Sequence, residues 1–199
     1  MTTNRFRGIA LTGAGALLVP LALVAAAPAA QAGSVAQAAP VAEPFGPACS
    51  SLPPSGEGSA AGMADDPVAT AASNNPELST LVAAVEKAGL VDTLNNAKNI
   101  TVFAPTNDAF EKIPKADLDK ILNDKDQLTD LLTYHVVNEK VTVDKLPDGT
   151  FTTLQGGRLT TSGSGDSFKV NDSASIVCGD IATKNATVQL IDTVLTPMS

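Results

Sequence analysis

From about position 65 onward the apolar residues recur with two different periods, and the change of period divides the chain. Leu78, Leu81, Val82 and Val85 stand at i, i+3, i+4 and i+7. That spacing puts them on one face of an amphipathic helix. Gly89 is placed to stop it, because glycine readily takes the left-handed conformation that ends helices. Asn75-Pro76-Glu77 is a start signal, and Asp66-Pro67 is an earlier one. In that reading Asp66 accepts from the first free helical amides and Pro67 takes the first helical position. Ile100 to Ala104 reads as a short buried strand ended by Pro105. Thr106 then caps a helix carrying Ala109, Phe110 and Ile113. Leu118, Ile121 and Leu122 form another helical stripe. Leu128, Leu131, Leu132 and His135 form one more, after the charged turn Asp124-Lys125-Asp126.

After Val136 the helical period is lost. Val, Thr and Ile dominate, broken by turn signals at Pro147-Asp148-Gly149, Gly156-Gly157, Gly163 to Asp166 and Asn171-Asp172. Strands are expected over 151–154, 158–162, 167–170, 174–178 and 186–195. Helices first and strands later predict a single α+β domain over 65–197 with mostly antiparallel pairing.

Ahead of it the pattern changes twice. Arg5 and Arg7 precede an uncharged apolar run from Ile9 to Ala27, and Ala30-Gln31-Ala32 follows. Positive start, apolar run and small-residue site make a secretory signal peptide over 1–32, with a mature chain beginning at Gly33. The run borders on membrane length, but Gly13, Gly15 and Pro20 interrupt it. A lipid anchor at Cys49 is disfavoured, because Phe45-Gly46-Pro47-Ala48 lacks the aliphatic residue expected three positions upstream. Residues 33–64 carry five prolines and five glycines. They read as a flexible linker, with Phe45 and Cys49 as its attachment points.

Composition narrows the function. The 199 residues hold 13 Lys+Arg and 21 Asp+Glu. Cleavage after Ala32 removes two arginines and no acid, leaving eleven basic against 21 acidic side chains, a net charge of −10. Such a chain is poorly suited to a phosphate backbone. Aromatic residues are 4% and Trp is absent, so a stacking platform for single strands is also disfavoured. No nucleic-acid partner is expected. No later apolar stretch reaches membrane length, so the mature product is expected to be secreted, soluble and monomeric, with no stable membrane insertion and at most a loose association with the wall.

Candidate chemistry is sparse. Cys49 and Cys178 are the only cysteines. An even pair in an exported chain favours a disulfide, the alternative being two free thiols. His135 is the only histidine. It is read as a packed side chain at a helix-to-strand junction rather than as a catalytic base, since no G-x-S-x-G accompanies it. Zinc would need cysteine ligands that are already committed. Asn123 to Asp126 lacks the Gly and distal Glu of a calcium loop. No phosphate loop or dinucleotide fingerprint is present. No catalytic residue, cofactor or metal is therefore expected. Asn99, Asn171 and Asn185 match the glycosylation sequon, but the Ala-rich leader looks bacterial and they are read as chance matches.

Two blocks are more specific. Thr101-Val102-Phe103-Ala104-Pro105-Thr106-Asn107-Asp108-Ala109-Phe110 resembles the first signature block of fasciclin domains. Ala186 to Pro197 resembles the second, and Leu131 to Val137 resembles the family's Tyr-His segment. The leader, Gly46 to Cys49, the run from Asp66 to Leu78 and Cys178 resemble a secreted immunogenic branch of that family. The resemblance implies a compact fold with a β wedge and several helices, and a role in adhesion or matrix interaction. Cell-surface or matrix proteins or glycans are then the expected partners. Tyr134, His135 and Asp192 are the candidate polar site, either structural or bordering a partner surface. Ala186 and Gln189 depart from the family pattern, which usually has glycine and histidine there, and no Arg-Gly-Asp is present. The alternative function is an extracellular small-ligand carrier with a groove between the helices and the β wedge.

Overall fold

Two central strands organise the molecule. β1 (Ile100–Pro105) and β7 (Ala186–Ile191) run parallel, with Ile100 opposite Ala186 and Pro105 opposite Ile191. Every residue of both strands is buried. Side chains alternate across a sheet, so a strand buried on both faces feeds two cores. Ile100, Val102, Ala104, Val188 and Leu190 join a core shared with the helices. Phe103 and Ile191 point to a second core on the other face, with Phe151, Leu159, Phe168 and Val170. The computed structural model describes residues 43–197; the expected leader and the start of the linker lie outside them.

The remaining strands are β2 (Val136–Val137), β3 (Thr150–Thr152), β4 (Arg158–Ser164), β5 (Ser167–Val170) and β6 (Ala174–Ala182). The sheet order is β2-β1-β7-β6-β5-β4-β3, and every neighbouring pair except β1–β7 is antiparallel. Its two edges meet. Val137 bridges Thr153, and the Leu154 amide donates to the Val136 carbonyl at 2.7 Å. The sheet thereby curls into a wedge around the second core, and the β2 edge gains a partner instead of facing water. The fold is α+β, as expected.

Six helices cover the first core: α1 (Val68–Ser73), α2 (Ser79–Ala88), α3 (Val91–Asn96), α4 (Asn107–Glu111), α5 (Lys115–Asn123) and α6 (Lys125–Tyr134). The stripe Leu78, Leu81 and Val85 is buried as its period requires. Gly89 caps α2 at φ 77°, and Asp124 caps α6 by accepting from the amides of Asp126 and Gln127. Two expected caps are placed differently. Pro67, not Asp66, occupies the N-cap of α1, and the Asp66 carboxylate accepts from the Asn74 side chain instead. Thr106 stands at the N-cap of α4 without a side-chain capping bond. Among the described residues no helix is long and apolar enough to cross a membrane.

Several strand boundaries differ from those expected. The strand expected over 186–195 ends at Ile191, because the next residues bond sideways to Ser175 and His135 rather than along the ladder. The one expected over 151–154 ends at Thr152, where the chain hands its hydrogen bonds to β2. β6 runs on to Ala182, four residues past its expected end. Residues 43–64, expected as part of the linker, pack on the domain. Within 43–64, Leu52 and Met63 are buried in the first core and Phe45 pairs with Gly179 by two backbone hydrogen bonds. Gly46 permits this approach, since a Cβ there would meet the Val177 carbonyl oxygen at 2.5 Å.

Candidate functional site

His135 ends α6, where the helical carbonyls run out and the chain turns into β2. Its ring is buried, with 2% of its surface exposed. The Leu195 amide donates to Nε2 at 2.9 Å, so Nε2 accepts. Nδ1 therefore carries the proton and donates to the Leu131 carbonyl at 2.8 Å. Burial lowers its pKa to about 4, against a smaller upward pull from that carbonyl. The backbone carbonyl of His135 accepts from Phe103 at 2.8 Å. One residue thus joins α6, β1 and the C-terminal segment.

Tyr134 points into the wedge core and is equally buried. Its hydroxyl donates to the Arg158 carbonyl and accepts from the Asn171 side-chain amide, both at 2.9 Å. Asp192 is set apart. Its Oδ1 accepts from the Ser175 amide at 2.7 Å and from the Thr193 hydroxyl at 3.0 Å, and Lys112 lies 3.3 Å from Oδ2. Burial acts to raise its pKa, but these donors together outweigh it and hold the carboxyl below its usual value. Among the described residues no hydrogen bond joins Asp192 to Tyr134 or His135. The three expected polar positions therefore form three separate structural ties.

The first signature block is built the same way. The Thr101 hydroxyl donates to the Glu139 carbonyl and accepts from the Val141 amide, each at 2.8 Å. Phe103 fills the wedge and Phe110 the helical core. Pro105 closes β1, and Thr106 donates its amide to the Ile191 carbonyl. Asn107 accepts from the Thr80 amide and the Ser79 hydroxyl, and donates to the Pro76 carbonyl. It caps α2 from another part of the chain.

Cys49 and Cys178 form a disulfide, with Cα atoms 4.9 Å apart. Strand period alone would put Cys178 on the same face as Ile176, inside the wedge. A β-bulge between them inverts the face, and a second lies between Cys178 and Ile181. An extra residue on one strand re-aims every later side chain. Cys178 consequently faces the first core, where Cys49 packs.

The second bulge holds a residue that periodicity did not single out. Asp180 has φ 60° and is buried, and its Oδ2 has no hydrogen-bond partner. Burial pushes its pKa up, opposed by the Val143 amide and Lys140 and assisted by Asp144. Its own amide donates to Oε1 of Gln189, the residue that departs from the family pattern. Asn185 was likewise missed as a structural tie. It accepts from the Val68 amide at 2.8 Å and donates to the carbonyls of Leu94 and Ala97 at 2.8 and 2.7 Å. The only sequence signal there was a sequon, which says nothing about packing. Among the described residues no group of three His, Cys, Asp or Glu is arranged to hold a metal ion.

Beside His135, α1, α2, α3 and α6 leave an apolar cavity of about 140 Å³ against β1.

The comparisons with known proteins agree with this geometry. The model of the fasciclin domain matches residues 76–197. The chain is 49% identical over 181 residues to the cell surface glycolipoprotein MPB83 of Mycobacterium bovis, covering 87% of this chain and 81% of that protein. It is 48% identical over 160 residues to the immunogenic protein MPB70 of the same species, covering 76% and 81%. Among solved structures, a fasciclin domain pair from the insect cell adhesion molecule fasciclin I superposes with a TM-score of 0.56 at 17% identity. It covers 68% of this chain and 52% of that one, a likeness of fold. With the wedge, both signature blocks and the buried Tyr-His segment in place, the chain belongs to the fasciclin-domain family.

Proposed function

We propose that this chain is an exported, non-enzymatic protein that mediates adhesion or protein interaction at a cell surface or matrix. The observation that carries the reading is the relation to a cell surface glycolipoprotein at 49% identity over 87% of the chain. The fold shared with an insect cell adhesion molecule supports it. So does the chemistry of His135, whose two ring nitrogens are spent on backbone groups and could act as a base only by breaking the core. The partners are proteins or glycans of the surface or matrix, met by exposed residues while Tyr134 and His135 hold the scaffold beneath. The Arg5-to-Ala32 pattern accounts for export, with Gly33 as the mature N-terminus.

The test is a binding isotherm. Labelled mature protein should bind intact cells or matrix-coated surfaces saturably, and unlabelled protein should compete. Binding that never saturates, or that no unlabelled excess displaces, overturns the reading.

A further inference from the structure

The cavity beside His135 has unusually uniform chemistry. Leu81, Val82 and Val85 of α2, Val102 of β1 and Leu132 of α6 form its walls. His135 borders it, but both ring nitrogens already hold backbone partners. A buried water needs two to four polar partners, and these walls supply none. An apolar cavity of ~150 Å³ is large enough to admit benzene, so about 140 Å³ accepts a hydrocarbon group of roughly six carbons.

The mouth narrows the choice of occupant. Among the described residues Glu86 is the only charged side chain lining the cavity. With no cation beside it, a carboxylate or phosphate headgroup would meet repulsion and lose hydration without a partner. The Ser73 and Thr133 hydroxyls donate to carbonyls of their own helices, leaving at the rim the exposed hydroxyls of Thr93 and of Thr70, whose oxygen accepts from the Asn95 side chain and whose proton remains to be donated. Leu154, 39% exposed, lines the same opening and is the one exposed large hydrophobic residue among those described. Apolar surface therefore continues from the cavity outward, past neutral hydroxyls.

We propose that this cavity is a binding site for the alkyl chain of a neutral amphiphile, such as a fatty alcohol or an alkyl ester. The chain enters beside Leu154, which covers the segment that emerges, and Thr70 or Thr93 bonds the uncharged head. Glu86 excludes the corresponding acid. The site is independent of the surface-interaction reading, and either stands if the other fails.

The test uses the mature, disulfide-bonded protein with 1-hexanol and hexanoate as probes, read by amide NMR shifts and by melting temperature. Hexanol is expected to move the amides of Val82, Val85 and Leu132 saturably and to raise the melting temperature. Hexanoate is expected to bind at least tenfold more weakly at pH 7, and Glu86→Gln to narrow that gap severalfold. Val82→Phe fills the cavity and should abolish the hexanol shifts. Ala69→Leu serves the same end if the larger ring prevents folding, and each variant is first shown to melt cooperatively. The proposal is overturned if hexanol gives no saturable shifts, if hexanoate binds equally well, or if the shifts persist in a folded cavity-filling variant.

Discussion

At the scale of single residues, His135 shows how burial converts a titratable group into a pH-dependent tie. Its folded pKa is about 4, against 6.5 for the free side chain. The unfolded chain therefore takes up a proton first as the pH falls. The stability this neutral ring contributes is complete above pH 6.5 and is lost between pH 6.5 and about 4. The full difference is on the order of 3 kcal/mol. Asp180, whose pKa is raised, acts in the opposite sense, since acid relieves its buried charge. The contribution of His135 must therefore be isolated by substitution. His135→Gln should lower stability at pH 7.5 by about 2–3 kcal/mol, because the Leu195 amide and the Leu131 carbonyl lose a fitted partner. The deficit should shrink toward pH 4.5. Urea melts of both proteins across that range provide the check, and a deficit independent of pH would show that the ring is not titrating as its burial demands.

At the scale of elements, several helix ends depend on side chains from distant parts of the chain. α1 has no capping bond of its own. Asn185 accepts from its Val68 amide and Asn95 from its Ala69 amide. Asn185 also closes the end of α3 through Leu94 and Ala97. Removing this amide leaves four backbone groups, the Val68 amide and the Leu94, Asn95 and Ala97 carbonyls, short of a partner, and unpaired buried groups cost about 1–3 kcal/mol each before water returns to them. Asn185→Ala is accordingly expected to lower stability by about 2–3 kcal/mol. Asn138→Ala, at an exposed position, should stay within about 0.5 kcal/mol. Denaturant melts that put the two variants together would refute the account. Local sequence rules found the start signal at Asn75 and the charged turn at Asp124, where donor and acceptor are two or three residues apart. They missed Asn107 and Asn185, whose partners lie 27 to 117 residues away.

At the scale of the whole molecule, the disulfide fastens the segment before α1 to the sheet. Cys49 and Cys178 are 129 residues apart, and closing so long a loop is worth roughly 4–5 kcal/mol on the chain-entropy model. Phe45 reinforces the attachment, stacking edge-on against Phe168 with ring centroids 5.4 Å apart. The double variant Cys49→Ser, Cys178→Ser should melt about 10 °C or more below the parent. Freshly purified parent protein should show no free thiol after denaturation. Two titratable thiols there, or equal melting temperatures, would remove the bridge from the account.

The sequence by itself determined the elements whose causes are local. The 3.6-residue stripes of α2 and α6 and the turn glycines fall where the side chains require them, and so do the buried first block and the α+β class. It also carried the family, because signature blocks are read in one dimension. Tertiary structure decided what depends on long-range pairing. Burying both faces of β1 and β7 divides the interior into two cores. The meeting of β2 with Thr153 closes the wedge, and it cuts β3 short. The bulges of β6 turn Cys178 toward Cys49, a reversal that a period of two cannot express. The apolar cavity has the same origin. Its walls come from four helices and a strand, so it follows from how they pack rather than from any one of their patterns.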